Sequence, residues 1–459
     1  MLNLSRRRLL GQAAVGFGSL ALHSLVAAED QQRPHFAPKA KRVIFLFMKG
    51  GPSQVDTFDY KPRLQKDDRK PLPFEKPRVQ FSQTSGLLAS PWTFRAYGQS
   101  GALVSDLFPQ VGQCADDLCI INSLHGTNSA HGGACLKLHT GSDTFVRPSM
   151  GSWITYGLGS ENRNLPGFIT ICPTLAHGGT KNWSSAFLPA SVAGTPMGNA
   201  GSPSEEPRVK YIRNPRLDPD SQRRQLDLVQ SLNRDFLEST GPDSALEARI
   251  DSFELAFRMQ SEMPAVMDLA SESRAMRRLY GLDDPVTANF GRQCLLARRF
   301  AEAGVRFVQV THSNTDVQWD QHGDLRKGHE RNAAEVDRPI AGLLRDLKAR
   351  GLLEDTLVLW GGEFGRTPTC EGKGWDGRDH NPEGFTMWLA GGGVKPGIRY
   401  GATDEYGYYA ATNRVHIHDL HATVLHLLGV DHERLTYRYA GRNFRLTDVA
   451  GHVVKDIIA

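Results

Sequence analysis

The sequence lacks the excess of basic residues that is typical of many proteins that bind nucleic acid or anionic membranes. Its 54 basic and 50 acidic residues leave a formal net charge of +4, with no polybasic tail and no long run of one sign. Proteins that bind nucleic acid electrostatically usually concentrate their basic residues in such tails or patches. The sequence therefore does not indicate nucleic acid or an anionic membrane surface as a partner.

Three other features are missing, and each absence argues against one kind of site. The six cysteines form no CxxC pair, which argues against a zinc knuckle. No GxGxxG motif follows the first predicted strand, so a dinucleotide site is not supported. After residue 28 no segment is long and apolar enough to span a membrane.

The first 28 residues, by contrast, carry a recognisable targeting pattern. Ser5-Arg6-Arg7-Arg8-Leu9-Leu10 precedes a small-residue apolar stretch without acidic residues, which is typical of a twin-arginine export signal. We expect residues 1–28 to be a signal peptide cut after Val26-Ala27-Ala28, and the protein to be periplasmic or extracytoplasmic. An uncleaved anchor is the alternative, although the stretch is shorter than the roughly 20 residues of a spanning helix.

Strand and helix patterns alternate along most of the remaining chain. Val43–Met48 is a continuous apolar run followed by two glycines, as in a strand buried on both faces. Similar runs occur at 118–121, 305–310, 356–360 and 385–390, and helical spacing precedes several of them. This alternation predicts an α/β fold, a doubly wound and mainly parallel sheet with helices on both faces.

Two further helical regions are predicted outside this alternation. The segment at about 208–282 is almost wholly helical in pattern and is interpreted as an insertion in a single domain spanning residues 41–455. Near the C-terminus, residues 415–430 become an amphipathic helix, for which Asp419 is the predicted N-cap and on which His421 and His426 are given a structural role.

Acidic residues, histidines and an arginine follow the predicted strands. In an open parallel sheet, ligands bind at the carboxyl ends of the strands, where the following loops share a crevice. The candidates there are Asp56; His125, Ser129, His131 and His139; Asp316, Asp320, His322 and His329; and Glu363, Arg366, Asp379 and His380. A cap or a surface hydrogen bond is the commoner role for His125, His139, Asp316 and His329.

Mixed oxygen and nitrogen ligands are what divalent cations require. Two such cations can activate a nucleophile and neutralise a leaving oxygen, so hydrolysis of phosphate or sulfate esters is a natural chemistry for the cluster. The predicted metal ligands are Asp56, Asp320, His322, Glu363, Asp379 and His380, for zinc, calcium, magnesium or manganese. Arg366 is predicted to grip the substrate anion, because its planar fork matches phosphate or sulfate oxygens.

Several longer motifs carry a family resemblance. They are M-K-G-G-P-S-Q-V-D-T-F-D at 48–59, W-D-Q-H-G at 319–323, G-E-F-G-R-T-P at 362–368, G-R-D-H-N-P at 377–382 and H-D-L-H-A-T-V-L-H-L-L-G at 418–429. Together they resemble exported proteins that carry domain of unknown function 1501, within the alkaline phosphatase and sulfatase superfamily. The resemblance implies two metal shells, with Asp56, Asp320 and His322 as ligands and Glu363 and the Asp379-His380 pair as further ones.

The chain departs from that superfamily at two places. The superfamily usually has an Asp-His pair where this chain has Glu363-Phe364. Sulfatases also carry a Cys or Ser upstream of Thr-Gly, whereas counting back from Thr140-Gly141 puts His131 near the nucleophile position and Ser129 two residues earlier. Formylglycine chemistry is therefore not supported. Three alternatives remain for the nucleophile. Ser129 or Thr127 attacks the ester, a metal-bound water attacks it, or the protein binds its ligand without turnover.

These observations favour an exported, metal-dependent, sulfatase-like hydrolase of phosphate or sulfate esters. The expected substrate is an anionic ester, for example on a sulfated or phosphorylated polysaccharide. The alternative is a catalytically silent metal-binding or carbohydrate-binding scaffold protein of the same fold.

Overall fold

The computed structural model describes residues 33–75, 83–200, 209, 212–241, 243–313, 318–372 and 374–459. The signal peptide predicted for residues 1–28 and the candidate Asp316 lie outside this part of the chain, so both stay predictions.

A nine-stranded sheet forms the centre of the described structure. Its strands are β1 Arg42–Met48, β2 Leu118–His125, β3 Phe168–Ile171, β4 Thr195–Met197, β5 Phe307–His312, β6 Thr356–Gly361, β7 Phe385–Ala390, β8 Ile398–Tyr400 and β9 Val415–His416. Their order is β8-β2-β7-β6-β1-β5-β3-β4, and β9 also pairs with β2. Only β7 runs antiparallel to its neighbours, β2 and β6.

Helices cover both faces of this sheet. The helices of the described residues are α1 Gln54–Thr57, α2 Pro62–Lys66, α3 Pro109–Gly112, α4 His131–Thr140, α5 Met150–Leu158, α6 Pro219–Thr240, α7 Ser244–Met267, α8 Arg274–Leu279, α9 Ala288–Glu302, α10 Leu325–Ala349 and α11 Ile417–Leu427. The predicted α/β class, with a mainly parallel sheet and helices on both faces, is confirmed. The segment interpreted as a helical insertion contains α6, α7 and α8.

The side chains of β1 show why this strand is apolar throughout. Ile44, Leu46 and Met48 pack into one hydrophobic core with α9 and α10. The alternate residues, such as Phe45 and Phe47, pack into a second core with α4, α5 and α11. Successive side chains of a strand point to opposite faces, so a strand covered by helices on both sides must be apolar at every position.

The described part of the chain also contains five two-stranded antiparallel ribbons. They pair Phe94–Tyr97 with Ala102–Ser105, Thr84–Leu87 with Thr369–Glu371, Gly365–Arg366 with His380–Asn381, Ala402–Thr403 with Ala410–Thr412, and Tyr437–Tyr439 with Arg442–Phe444. The ribbon of Gly365–Arg366 matters most for function, because it joins two of the segments predicted to carry site residues.

The cap of α11 differs from the prediction. The N-cap is His416, whose side chain accepts the His418 N–H, and Asp419 is the third helical residue, whose carboxylate accepts the His416 N–H at 2.8 Å. The prediction that Asp419 is the N-cap was therefore wrong. Asp419 supplies the other half of a reciprocal capping box, which is a role that an acidic residue in the first turn also fits.

The described residues include all six cysteines, and each is buried and free of a disulfide. Within the same residues, no helix combines the length and the hydropathy needed to cross a membrane.

His421 is a buried histidine that should make the fold acid-sensitive. Its Nε2 donates to the Leu138 carbonyl at 2.7 Å, and burial lowers its pKa to about 3. Below pH ~6.5 the unfolded chain therefore binds a proton at this histidine more readily than the folded protein does. The contribution of neutral His421 to the unfolding free energy is complete above pH ~6.5 and is lost as the pH falls toward about 3.

We expect His421→Gln, which keeps an N–H donor and removes the titration, to reduce the pH dependence of unfolding. Between pH 4 and 6 the slope of the unfolding free energy should fall by about 1.4 kcal/mol per pH unit, measured by urea titration. The exposed His452→Gln variant is the control. An unchanged slope in His421→Gln would contradict the prediction.

Candidate metal centre

The sheet topology brings five loops to one edge. β1, β2, β5 and β6 are mutually parallel and end at this edge, whereas the antiparallel β7 begins there. The loops after the four parallel strands and the loop before β7 therefore meet. Asp320, Glu363 and His380 are brought together in this way.

Asp320 is the carboxylate around which the centre is arranged. His131 Nε2 lies 3.1 Å from its Oδ2, and His322 Nε2 and His380 Nε2 lie 2.9 and 3.1 Å from its Oδ1. Burial raises the pKa of Asp320, but the hydrogen bonds with the three imidazoles outweigh burial and hold the pKa far below its usual range. Asp320 is therefore ionised at neutral pH.

Glu363 lies behind His131 and orients it. Its buried carboxylate is 2.7 Å from His131 Nδ1 and accepts the Gly50 N–H at 3.0 and 3.1 Å through its two oxygens. Metal-binding histidines commonly donate their second ring N–H to a carboxylate, which fixes the tautomer. Glu363 was predicted as a direct ligand; the contacts of its carboxylate are instead those of a residue that aims His131 at Asp320.

Gly50 lets the loops approach this closely. Its φ of +109° suits glycine, and a Cβ at this position would lie 2.7 Å from the backbone nitrogens of Trp319 and Asp320. Glycine at position 50, in the loop after β1, is therefore required by the packing of the Asp320 loop.

A second group of potential ligands adjoins the first. His131, Asp320 and His380 form one group and His322, Glu371 and Asp379 the other, and within each group one ligand atom from each residue lies within 4.8 Å of the others. The two groups touch, because His322 Nε2 is 3.0 Å from His380 Nε2. Glu371, which contacts His322 Nδ1, was missed by the sequence analysis.

The outer contacts of the three histidines fix where their lone pairs point. His131 Nδ1 faces Glu363, His322 Nδ1 faces Glu371, and His380 Nδ1 faces the Ser129 carbonyl at 2.6 Å. An acceptor next to Nδ1 places the proton of a neutral imidazole there. In the neutral form all three Nε2 lone pairs are therefore directed at the Asp320 carboxylate.

Such an arrangement needs a positive charge in its middle. Burial lowers the pKa of His380 to about 4, so its lone pair faces the Asp320 carboxylate at neutral pH. Burial lowers the pKa of His131 as well, but its hydrogen bonds with Asp320 and Glu363 outweigh burial and raise it. Asp379 Oδ2 is buried and has no hydrogen-bond partner among the described residues. Coordination would satisfy this oxygen, and a cation would also lie between the Asp320 carboxylate and the imidazole lone pairs that face it, so the residues fit divalent cations.

Asp56 lies apart from both groups. Its two carboxylate oxygens accept from Arg378 Nε and Nη2 at 2.7 and 3.0 Å, and neither side chain is exposed. Burial raises the pKa of Asp56, but the Arg378 guanidinium outweighs burial and lowers it. The structure does not bring Asp56 together with the other predicted ligands.

Arg366 is part of the framework of the centre. Its guanidinium is completely buried and donates to Asp320 Oδ1 at 2.6 Å, and it also donates to backbone carbonyls, among them Gly50 and Gly51. Every one of its side-chain nitrogens thus has a protein acceptor. The predicted grip of Arg366 on a substrate anion has no support in this geometry.

The candidate nucleophiles lie between β2 and α4. Ser129 is half-buried and its carbonyl accepts from His380, whereas Thr127 is exposed. His131, which the motif count placed near the nucleophile position, begins α4 and has a ring nitrogen on each of two carboxylates. Its surroundings are those of a ligand.

The other histidine candidates stay outside the two groups. His139 Nδ1 bonds the Cys135 carbonyl, and His329 Nε2 accepts the Ser53 N–H at 3.2 Å. His125 stacks edge-on against His416 with ring centroids 5.1 Å apart. All three contacts are structural, but His139 and His329 are buried and are therefore not the surface hydrogen-bonders that the sequence favoured.

The fold and these contacts define an α/β protein with a candidate two-metal centre at the carboxyl edge of its sheet. The chain belongs to the family described as "Protein of unknown function (DUF1501)", whose family model matches residues 40–458. No curated protein matches the chain.

Three solved structures are similar in outline. The lipoteichoic acid synthase LtaP from Listeria monocytogenes has 10% identity and a TM-score of 0.37, covering 90% of this chain and 76% of its own. The PsFucS1 sulfatase from Pseudoalteromonas sp. has 13% identity and a TM-score of 0.37, covering 89% and 70%. The alkaline phosphatase of the Antarctic bacterium TAB5 has 8% identity and a TM-score of 0.35, covering 85% and 98%. These TM-scores are too low to establish a shared activity.

Proposed function

We propose that the protein is a metal-dependent hydrolase of phosphate or sulfate esters. The observation that carries the proposal is the convergence of three imidazole Nε2 atoms on the Asp320 carboxylate, each held there by an acceptor at its Nδ1. We keep the sequence-based expectations of twin-arginine export and of an anionic polysaccharide ester as parts of the proposal.

The first group would hold a cation through His131, Asp320 and His380, and the second through His322, Glu371 and Asp379. Two imidazoles and one carboxylate suit zinc, whereas two carboxylates and one imidazole also suit harder cations such as manganese or magnesium. When bound, such cations supply the positive charge that stabilises negative charge developing on ester oxygens.

The protein's own residues would prepare this site in three ways. Glu363 and Glu371 hold the Nδ1 protons of His131 and His322, so that their Nε2 atoms face inward. Arg366 clamps the Asp320 carboxylate and the loop after β1. Ser129, whose carbonyl anchors His380, stays the candidate nucleophile on this edge of the sheet.

Metal removal tests the proposal. We expect purified wild type to contain near-stoichiometric zinc or manganese by elemental analysis, and to hydrolyse 4-nitrophenyl phosphate or 4-nitrophenyl sulfate. Dialysis against a chelator should abolish the activity. It should also lower the unfolding free energy by about 3 kcal/mol, relative to protein kept at a metal concentration one hundred times the dissociation constant. Adding the metal back should restore both.

A wild type that stays metal-free after reconstitution would overturn the proposal. The burial of Arg366 favours a second candidate, a metal-binding scaffold without turnover. The guanidinium predicted to bind the substrate anion is already bonded to Asp320 and to backbone carbonyls. Stoichiometric metal that stabilises the fold, with no hydrolysis of either ester, would support the scaffold.

A further inference from the structure

A cavity that shares no lining residue with the metal centre lies between the helical insertion and α9. It has a volume of about 670 Å³, and its apolar lining includes Met267, Leu269, Leu282 and Leu296. Leu296 is only 2% exposed and belongs to the hydrophobic core. A concave apolar space of this size is what small-molecule sites commonly offer.

Arginines surround this apolar space. Arg213, Arg277 and Arg292 line the cavity, and Arg277 also lines an adjoining smaller cavity together with Arg274 and Arg278. Asp268 is the acidic residue of the larger lining, and its carboxylate already accepts the Ala270 N–H at 3.0 Å. The walls are therefore apolar and the charged groups are predominantly cationic.

These arginines differ from their neighbours in having no acidic partner. Nearby, Arg298 pairs with Glu272 at 2.5 Å and Arg338 pairs with Asp283 at 3.1 Å. The side chains of the five arginines that line the two cavities make no ion pair with any residue in the described part of the chain. Arg292 also has a buried Nε without a hydrogen-bond partner there. A buried unpaired donor of a charged group is costly, so an anionic ligand would remove this penalty at Arg292. At Arg277, which is exposed, the ligand would gain a charge-assisted contact.

We infer that this cavity binds an anionic amphiphile, a molecule with an apolar chain and a carboxylate or phosphate headgroup. The chain occupies the space between Leu282 and Leu296, and the headgroup bonds Arg277 and Arg292. This site is independent of the proposed hydrolase function, since none of its lining residues belongs to either metal-binding group.

Isothermal titration of the full mature chain with decyl phosphate, below its micelle concentration, tests the inference. We expect saturable one-to-one binding that is at least about tenfold tighter than binding of decanol or of inorganic phosphate, because the site uses both parts of the ligand. Equal affinity for decanol would overturn the role of the arginines, and equal affinity for inorganic phosphate would overturn the role of the apolar cavity.

Variants locate the site. Arg277→Gln/Arg292→Gln should weaken decyl phosphate binding at least about tenfold, and Ala270→Trp, which fills the cavity from its rim, should also weaken it. Arg224→Gln, at an exposed arginine of α6, and Asp320→Asn, in the metal centre, should bind as wild type does. Absence of saturable binding in the folded wild type, or unchanged binding in the double variant, would overturn the inference.

Discussion

Asp320→Asn is expected to prevent metal binding at the proposed centre and, with it, to lose roughly a thousandfold or more of the proposed ester hydrolase activity. The carboxylate is the shared contact of His131, His322 and His380, and an amide cannot replace its charge. Several kcal/mol of charge stabilisation by a bound cation correspond to a rate factor of this size. Elemental analysis and the hydrolysis rate measure the two effects separately.

The matched control for this variant is Asp324→Asn. Asp324 lies on the same loop, is exposed, and has a φ of +51°, which asparagine tolerates. We expect Asp324→Asn to keep wild-type metal content and activity. A folded Asp320→Asn protein that retained stoichiometric metal would show that the metal is bound elsewhere.

The fold was largely predictable because its signals are local. The apolar runs at 43–48 and 356–360 become β1 and β6, and both are fully buried since helices cover both faces. The candidate site was predictable only in part: the strand ends indicated which edge of the sheet gathers Asp320, His322, Asp379 and His380. The periodicity of a sequence carries this information directly.

Which charges pair with which could not be read from the sequence. Asp56 and Arg378 are 322 positions apart, and nothing local distinguishes a carboxylate that binds metal from one that binds a guanidinium. Glu371 was missed for a related reason. It lies on a short ribbon that pairs with Thr84–Leu87, outside the motifs that the sequence singled out, and only tertiary contact brings it to His322.

His131 shows a third limit of the sequence. Counting back from Thr140-Gly141, as in the sulfatase motif, placed it near the nucleophile position. The structure places His131 at the first position of α4, where Glu363 holds its ring against Asp320. Counting along the chain gives the position of His131 in the motif. Its chemical role depends on the carboxylates of Asp320 and Glu363, which come from other loops.

Arg378→Met is expected to destabilise the fold by about 3–5 kcal/mol, because it leaves the Asp56 carboxylate buried without its partner. The free energy of unfolding, measured by urea titration, should show this loss. Replacing both residues, as in Asp56→Leu/Arg378→Met, should recover a large part of it, since no unpaired buried charge then remains.

The same pair decides whether Asp56 is a metal ligand, as the family resemblance implied. If Asp56 serves only Arg378, Asp56→Asn should lower stability while the folded fraction keeps its full metal content, in contrast to Asp320→Asn. Loss of metal from a stable Asp56→Asn protein would instead mean that Asp56 exchanges Arg378 for a cation. The bidentate contact at 2.7 and 3.0 Å, with both side chains completely buried, favours the first outcome.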